Sequence, residues 1–425
     1  MMRYWKFLVI GFVTISSANA DVNITANPIS LEQVVVNVLE HNPQILAGDI
    51  EARAAVERIK QAQQSLSPLT LNLDLENVAG SGAYNGNDQL ETTLSFAKVL
   101  ELGRKSELRE SLAKTEANLL KNEQDAKKLD LLAEATRRFI EVVLDQHKLK
   151  IANNKLALIK GTQAIVAKRV RLGKSPQAEQ RRVRIELERA KIELEHIEHE
   201  LKTSRLKLSS IWGNTSPDFT SAQAELFSLQ EPGSFQQLED LLVRNPELAQ
   251  YATQERLAAA RLNLAKSRSQ SDVELSGGIK YFNDTSDTAL VLSASMPFGS
   301  SSRAKPFIGE AQLLSQLTPY NHEQRRITLH TNLYALYQEI HHAIDAVKVL
   351  REIIIPEAEL VLRDYRRGYE AGRYSLIELN NVQSTLLDAR LEAAITASIY
   401  HRNKIEIERL TGSNMARLEK NNEVK

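Results

Sequence analysis

The pattern of apolar and polar positions divides the chain into short alternating segments and very long helical ones. Apolar residues alternate with the residues between them in two pairs of segments, strictly with polar ones from Leu69 to Glu76, which predicts two β-hairpins. The predicted strands lie at about 68–78 and 88–97 and, further along, at about 272–282 and 288–297. About ten residues is the length that a tilted membrane-crossing strand needs, and the same alternation also fits an ordinary half-buried sheet.

Two long helical segments follow each hairpin. The first pair is predicted at about 103–172 and 176–212, and the second pair at about 305–370 and 375–411. At 1.5 Å per residue the first of these helices alone is a rod of roughly 100 Å. Apolar residues in the segment after 176 recur in alternating steps of four and three, which is the heptad pattern of coiled coils. A second apolar row at Ile185 and Ile192 indicates a wall of packed helices.

The second half of the chain repeats the order of the first. The pair Asn42-Pro43 recurs as Asn245-Pro246, and a helix reversal at Gly173 recurs at Gly372. A shift of about 200 residues relates these landmarks, as expected for a duplicated unit. The predicted organisation is a signal peptide at 1–20, a first repeat at 21–213, a linker at 214–234, a second repeat at 235–412 and a polar tail at 413–425.

The N-terminus has the three regions of a secretory signal peptide. Arg3 and Lys6 supply the positive charge, residues 7–15 form the apolar region, and Ala18-Asn19-Ala20 fits the cleavage pattern. No later segment reaches the run of about 20 apolar residues that a membrane helix needs. The mature chain is therefore expected either to stay in the periplasm or to cross a membrane by strands. Because four strands cannot close a barrel, membrane-crossing strands would require several copies to share one.

Composition excludes several classes of function. The chain has 54 Lys+Arg and 54 Asp+Glu, so it lacks the basic excess that is typical of a nucleic-acid binder. It contains no Cys, which excludes disulfides, thiol catalysis, Cys-ligated zinc and a lipid anchor on an N-terminal Cys. Gly-rich phosphate loops, Ser-centred elbows and His-Glu-x-x-His motifs are absent from the sequence. An enzymatic activity and a cofactor are therefore not expected.

The histidines raise the question of a metal site. His196 and His199 lie one helical turn apart among glutamates, whereas a zinc site needs three or four converging ligands. A solvated helix face is the preferred interpretation, and no metal site is predicted.

Together these features resemble the TolC family of outer-membrane efflux channels over essentially the whole mature chain. Segment 94–105 is similar to the strand-to-helix crossing of the CzcC-like, metal-efflux branch, and segments 355–358 and 368–373 are similar to the same branch. The resemblance implies a mainly α fold with a membrane β-barrel, in which a duplicated unit of long coiled-coil-like helices plus two β-hairpins assembles into a trimeric channel. It implies a passive export duct, in this branch usually for metal cations expelled by resistance–nodulation–division pumps.

The resemblance also implies location and partners. A homotrimer would contact outer-membrane lipid through its barrel and extend through the periplasm. There it would meet a periplasmic adaptor protein and an inner-membrane pump. Gly173 and Gly372 would mark the turns where the adaptor docks.

Candidate gate residues follow from the same resemblance. Glu378 falls where the family carries an acidic residue that rings the tunnel entrance, and Asn381 falls where it carries a second. Three carboxylates close to a threefold axis would attract cations and raise one another's pKa. Glu179 and Tyr369 fall at positions that hold neighbouring helix hairpins together in the family, and Arg373 lies one place from the family's basic residue with that role.

Two other interpretations stay open at the level of sequence. A periplasmic coiled-coil scaffold or adaptor without a channel would share the signal peptide and the heptads, but it would not need paired ten-residue strands. A metal-dependent periplasmic enzyme would have to use His196 and His199.

Overall fold

A computed structural model describes residues 27–64 and 67–412, so the predicted signal peptide and C-terminal tail lie outside the described residues. The first half consists of β1 (Pro28–Ile29), α1 (Leu31–His41), α2 (Pro43–Gln63), β2 (Thr70–Glu76), β3 (Glu91–Leu100), α3 (Lys105–Arg171) and α4 (Gln177–Ser210). After β4 (Ser221–Ala222), the second half consists of α5 (Phe235–Leu241), α6 (Pro246–Ser267), β5 (Val273–Phe282), β6 (Asp287–Ser295), α7 (Ser300–Val349), α8 (Ile355–Glu370) and α9 (Leu376–Thr411).

The helix starts follow from capping chemistry. Ser30 and Gln33 form the capping box that the sequence predicts at the start of α1. Asn42 and Asn245 cap α2 and α6, and the proline that follows each of them supplies a pre-set backbone angle at the first helical position.

The long helices differ between the two halves. α3 runs for 67 residues without interruption. The corresponding segment of the second half begins at Ser300 and is divided by a π-helix at Leu350–Ile354. Pro356, two residues after the π-helix, lacks the N–H that would donate to a carbonyl of the preceding turn, which is compatible with a π-helix there, although α7 continues through Pro306 and Pro319.

The strands form one four-stranded antiparallel sheet in the order β2-β3-β5-β6. On one face of the sheet, a row across the four strands consists of Leu71, Phe96, Gly277 and Leu292. The next row, on the opposite face, consists of Asn72, Ser95, Gly278 and Val291. β2 and β6 are the two free edges of the sheet.

The helices continue this order away from the sheet. Next to the sheet, α2 packs on α3, α3 on α6, and α6 on α7, so that α2 and α7 are the outer helices. Further from the sheet, α4 packs on α3, α3 on α9, and α9 on α8. Within residues 27–64 and 67–412, none of the helices has the length and apolar character that a membrane crossing requires.

The apolar core runs along the bundle in successive clusters. The largest, around Phe139 and Leu208, joins α1, α3 and α4 to the segment between the two halves. That segment, predicted as a linker, packs against the bundle through Phe219 and Leu226, and β4 pairs with β1. Another cluster, around Val183 and Leu379, fills the half of the bundle that is distant from the sheet.

Candidate functional site

The two helix reversals meet at the end of the bundle that is distant from the sheet. α3 ends as Lys174 donates its backbone N–H to the carbonyl of Arg169 (2.8 Å), and Gly173 donates to Val170 (3.0 Å). This pair of hydrogen bonds is the Schellman motif, whose penultimate residue needs a left-handed backbone. Gly173 supplies it, with φ +69°.

The second reversal repeats the first. Arg373 donates its backbone N–H to Gly368 (2.8 Å), and Gly372, with φ +81°, donates to Tyr369 (3.0 Å). The two motifs are related by a shift of 199 residues, from Gly173 to Gly372. The structure therefore has glycine at both predicted turns for the same conformational reason.

Arg169 joins the two reversals. Its guanidinium donates to the backbone carbonyls of Tyr369 and Glu370 in the second reversal, the latter at 3.2 Å. In its own reversal it donates to the carbonyl of Lys174 (3.2 Å) and to Oγ of Ser175 (2.9 Å). Its guanidinium carbon also lies 4.7 Å from the centre of the Tyr369 ring, within cation–π range.

Tyr369 forms the complementary link. Its side chain is 1% exposed, and its hydroxyl donates a 2.9 Å hydrogen bond to the carboxylate of Glu179. Burial, followed by this hydrogen bond, raises the pKa of Tyr369 to about 12, so the phenol stays a donor at physiological pH. Two predicted gate residues, Glu179 and Tyr369, are thus in direct contact within one chain.

Glu378 and Arg373 lie on the exposed part of the same end. Glu378 forms a capping box with Ser375, accepting from its backbone N–H (2.7 Å) and its hydroxyl (2.8 Å). These bonds lower the pKa of the Glu378 carboxyl within one chain, opposite to the rise that three neighbouring carboxylates would produce. The side chain of Arg373 is exposed, and its backbone closes the second reversal.

Sequence reasoning missed Arg169 and the packing of Gly368. A Cβ on Gly368 would lie 2.2 Å from the ring of Tyr374, which stacks on Tyr365 with 4.2 Å between ring centres. A basic residue in the last helical turn is ordinary, so residue type alone gave no signal for Arg169. The spacing between Gly368 and Tyr374 indicates that the ring packs on the glycine only when the Schellman geometry of the turn is already known.

His196 and His199 both lie on an exposed face of α4. His196 is exposed and lies 3.3 Å from Glu200 on the same helix. Among the residues that the structure describes, no group of three or more His, Cys, Asp or Glu side chains is placed to hold a metal ion.

The four-stranded sheet is the second distinctive surface. Leu290 and Leu292 on one face are 72% and 76% exposed, whereas Thr93 and Ser95 on the other face are each 7% exposed. The sheet therefore has one exposed apolar face and one polar face, on which the residues of β3 are buried. On the polar face Lys280 pairs with Glu76 (2.6 Å) and with Glu91, which ties three strands together.

Residues 34–214 and 237–413 both match the outer membrane efflux protein family. The chain belongs to the outer membrane efflux protein family. The resemblance predicted from sequence is confirmed, and so is the prediction that the protein is not an enzyme, because the family consists of efflux channels. The scaffold and enzyme alternatives are thereby set aside.

Two relatives and two solved structures show how far the similarity extends. The cobalt-zinc-cadmium resistance protein CzcC of Cupriavidus metallidurans is 24% identical over 384 residues, covering 87% of this chain and 92% of CzcC. Outer membrane protein TolC of Salmonella enteritidis is 20% identical over 422 residues, covering 95% of this chain and 84% of TolC. The fold is similar to crystal structures of CusC (TM-score 0.75, 16% identity, 93% of this chain and 95% of that one) and the outer-membrane channel OprN (TM-score 0.73, 15% identity, 90% and 89%).

Proposed function

We propose that three copies of this chain form an outer-membrane channel, the passive exit duct of a tripartite efflux system that leads from the periplasm to the exterior. The observation that carries this proposal is the four-stranded sheet, because one of its faces is apolar and exposed and the other is polar. A soluble protein would bury such an apolar face, whereas a barrel in lipid presents it to the acyl chains.

The free edges support closure by further copies. An open sheet edge is not tolerated in lipid, and both β2 and β6 have one. β6 of one copy would pair with β2 of the next, so three four-stranded sheets would give a closed barrel. α7, on the β6 side, carries an exposed heptad row that a neighbouring α2 would cover: Leu313, Tyr320, Ile327 and Tyr334.

The paired reversals would form the periplasmic entrance. Glu179 and Tyr369 would hold it closed together with Arg169, and three Glu378 carboxylates would line it and attract cations. Arg373 would be part of the same entrance, and the reversals at Gly173 and Gly372 would present the docking surface for a periplasmic adaptor, which links the duct to an inner-membrane pump.

We further propose metal cations as the cargo, expelled through a resistance–nodulation–division pump. The support for this step is the similarity to CzcC, which is named for cobalt, zinc and cadmium resistance. A duct need not bind its cargo tightly, so a resident metal site is not required.

Electron microscopy of the full-length protein extracted from outer membranes tests the channel. Hollow rods with threefold end views are expected, and small solid particles would overturn the proposal.

A matched pair of variants on β6 tests the orientation of the sheet. Leu292→Arg should abolish recovery from outer membranes, since a cation on the lipid face costs about 2–4 kcal/mol near the midplane. Ser293→Arg, one residue along on the polar face, should be recovered normally.

The cargo is tested separately in cells. Deleting the gene should lower tolerance to cobalt, zinc or cadmium, and the Ser293→Arg variant should restore it while the Leu292→Arg variant should not. Unchanged metal tolerance together with a loss of drug or dye export would reject metal cargo and leave the channel proposal intact.

A further inference from the structure

The two helix reversals share a backbone but differ in charge. Residues 168–184 of the first reversal contain seven basic residues and one acidic residue, a net charge of +6. The equivalent residues 367–383 of the second reversal contain two of each, a net charge of zero. A chain whose overall net charge is +0 therefore concentrates positive charge on one of its two duplicated reversals.

Six of these seven basic side chains are exposed, and we call them the basic collar: Lys168, Arg171, Lys174, Arg181, Arg182 and Arg184. The seventh, Arg169, is used internally to join the reversals. Among the residues that the structure describes, the collar forms one ion pair, between Arg182 and Glu186 at 3.4 Å. The collar is thus a largely uncompensated positive surface.

Local stability explains two of the six collar residues. Lys168 and Arg171 lie in the last turn of α3, where a cation is favoured by the negative end of the helix dipole. Arg181, Arg182 and Arg184 lie near the start of α4, at the positive end, where the dipole favours acidic residues instead. Arg181 and Arg184 are also one turn apart and repel each other. Of the three arginines, only Arg182 gains anything from its own helix, through the exposed ion pair with Glu186, and such surface pairs contribute little.

We propose that the basic collar of the first reversal is the docking surface for an acidic segment of the periplasmic adaptor, and that the neutral second reversal contributes little to this attraction. This inference rests on the proposed function, which supplies an adaptor at this end of the duct. Complementary charge steers association and fixes the register of a complex. In a threefold assembly, basic first reversals would alternate with neutral second reversals around the entrance. The collars would then determine where the partner makes its first contact.

A protein partner fits the collar better than a lipid surface. α3 runs from the sheet to the reversals, and its 67 residues span about 100 Å at 1.5 Å per residue. Anionic headgroups of the membrane that holds the sheet are therefore far outside the Debye length of about 8 Å.

The test uses the full-length trimer in detergent and the purified adaptor of the host's metal-efflux system, with poly-L-glutamate as a second probe. Reversing the charge with R181E, R182E and R184E together should weaken adaptor binding at least tenfold and flatten its dependence on salt. The same charge change placed in α8, in the turns that lead into the second reversal, is the control: R363E, R366E and R367E together should change binding less than threefold. The melting temperatures of both variants are compared with that of the wild type, so that loss of binding through unfolding is recognised.

Equal losses from the two triple variants, or none from either, would overturn the collar proposal. Binding of poly-L-glutamate without binding of the adaptor would also overturn it, since the collar would then be a general polyanion surface. Electron microscopy of the same samples distinguishes failure of the collar proposal from failure of the channel proposal. If the R181E, R182E and R184E variant forms hollow rods and binds the adaptor as the wild type does, only the collar proposal is rejected. If the wild type forms no rods, the channel proposal itself is rejected.

Discussion

Asn42 and Asn245 make the same pair of contacts in the two halves of the chain. The side-chain oxygen of each accepts the backbone N–H two residues further along, at 2.8 and 2.7 Å. The side-chain nitrogen of each donates to the carbonyl at the end of the last long helix of its own half, from Asn42 to Ile211 (2.6 Å) and from Asn245 to Leu410 (2.7 Å). In each half, one buried asparagine thus caps the start of one helix and donates a hydrogen bond to the end of another.

Asn42→Ala and Asn245→Ala should each lower the free energy of unfolding by about 1–3 kcal/mol. Each removes a helix cap and leaves a buried carbonyl without its donor. Chemical denaturation of the purified protein, followed by circular dichroism, measures the effect.

Asn153→Ala is the control, because Asn153 is exposed in the middle of α3 and donates to Leu149 within the same helix. It should change stability by less than about 0.5 kcal/mol. Comparable losses at Asn42, Asn245 and Asn153 would show that the shared contacts are not what stabilises the two halves.

Tyr369→Phe should loosen the entrance while leaving its packing in place. The change removes only the hydroxyl that donates to Glu179, a bond to a charged acceptor worth about 1.5–3 kcal/mol. We expect a larger mean conductance of single channels in planar bilayers, together with faster hydrogen exchange at residues 369–374.

Tyr374→Phe is the matched control for this change. The ring of Tyr374 stacks on Tyr365, and the substitution preserves that contact. Conductance should stay at the wild-type level. If Tyr369→Phe also leaves conductance unchanged, the contact between Tyr369 and Glu179 does not restrain the channel.

Gly368→Ala should be more damaging than Gly173→Ala, although only Gly173 has a positive φ. At Gly173 nothing lies within 4 Å of an added Cβ, so the cost is backbone strain of about 1 kcal/mol. At Gly368 the added Cβ would lie 2.2 Å from the Tyr374 ring and would displace it from Tyr365. Thermal unfolding of both variants, with hydrogen exchange at residues 371–375, gives the order. A milder effect at Gly368 would mean that the tyrosine stack can move at little cost.

The sequence was informative about elements and much less so about contacts between them. Strict alternation around Leu71 and Leu292 predicted strands, and the proline-free run after Lys105 predicted one continuous helix, because both are local properties of the chain. The π-helix before Pro356 was missed, since a proline predicts a break but not how the backbone absorbs it.

The candidate site shows the same division. Gly173 and Gly372 were recognised because a left-handed turn has a residue signature. The role of Arg169 could not be predicted, because its acceptors are backbone carbonyls of Tyr369 and Glu370, about 200 positions away, and a carbonyl has no sequence signature. Tertiary placement alone creates that contact.

The start of α9 should be sensitive to acid through Glu378. Its pKa is lowered by the hydrogen bonds from the Ser375 backbone and hydroxyl, so the capping box stabilises the helix start above the ordinary carboxyl pKa of 4.5. That stabilisation is lost as the pH falls through the lowered value, when the carboxylate is protonated. Hydrogen exchange of residues 375–379, corrected for its intrinsic pH dependence, should therefore show less protection at pH 3 than at pH 7.

Ser375→Ala and Glu378→Gln separate the two sources of this acid sensitivity. Ser375→Ala removes the hydroxyl donor but keeps the backbone N–H that donates to Glu378, so protection at pH 7 should be lower than in the wild type and its loss on acidification smaller but still present. Glu378→Gln keeps an acceptor that does not titrate, so protection should be intermediate and independent of pH between 3 and 7.

In the trimer, three Glu378 carboxylates near the axis would raise one another's pKa, against the lowering by Ser375, and would shift the loss of protection to higher pH. A transition at higher pH in the trimer than in a dissociated subunit would place Glu378 near the axis, and identical transitions would place it away from its symmetry copies.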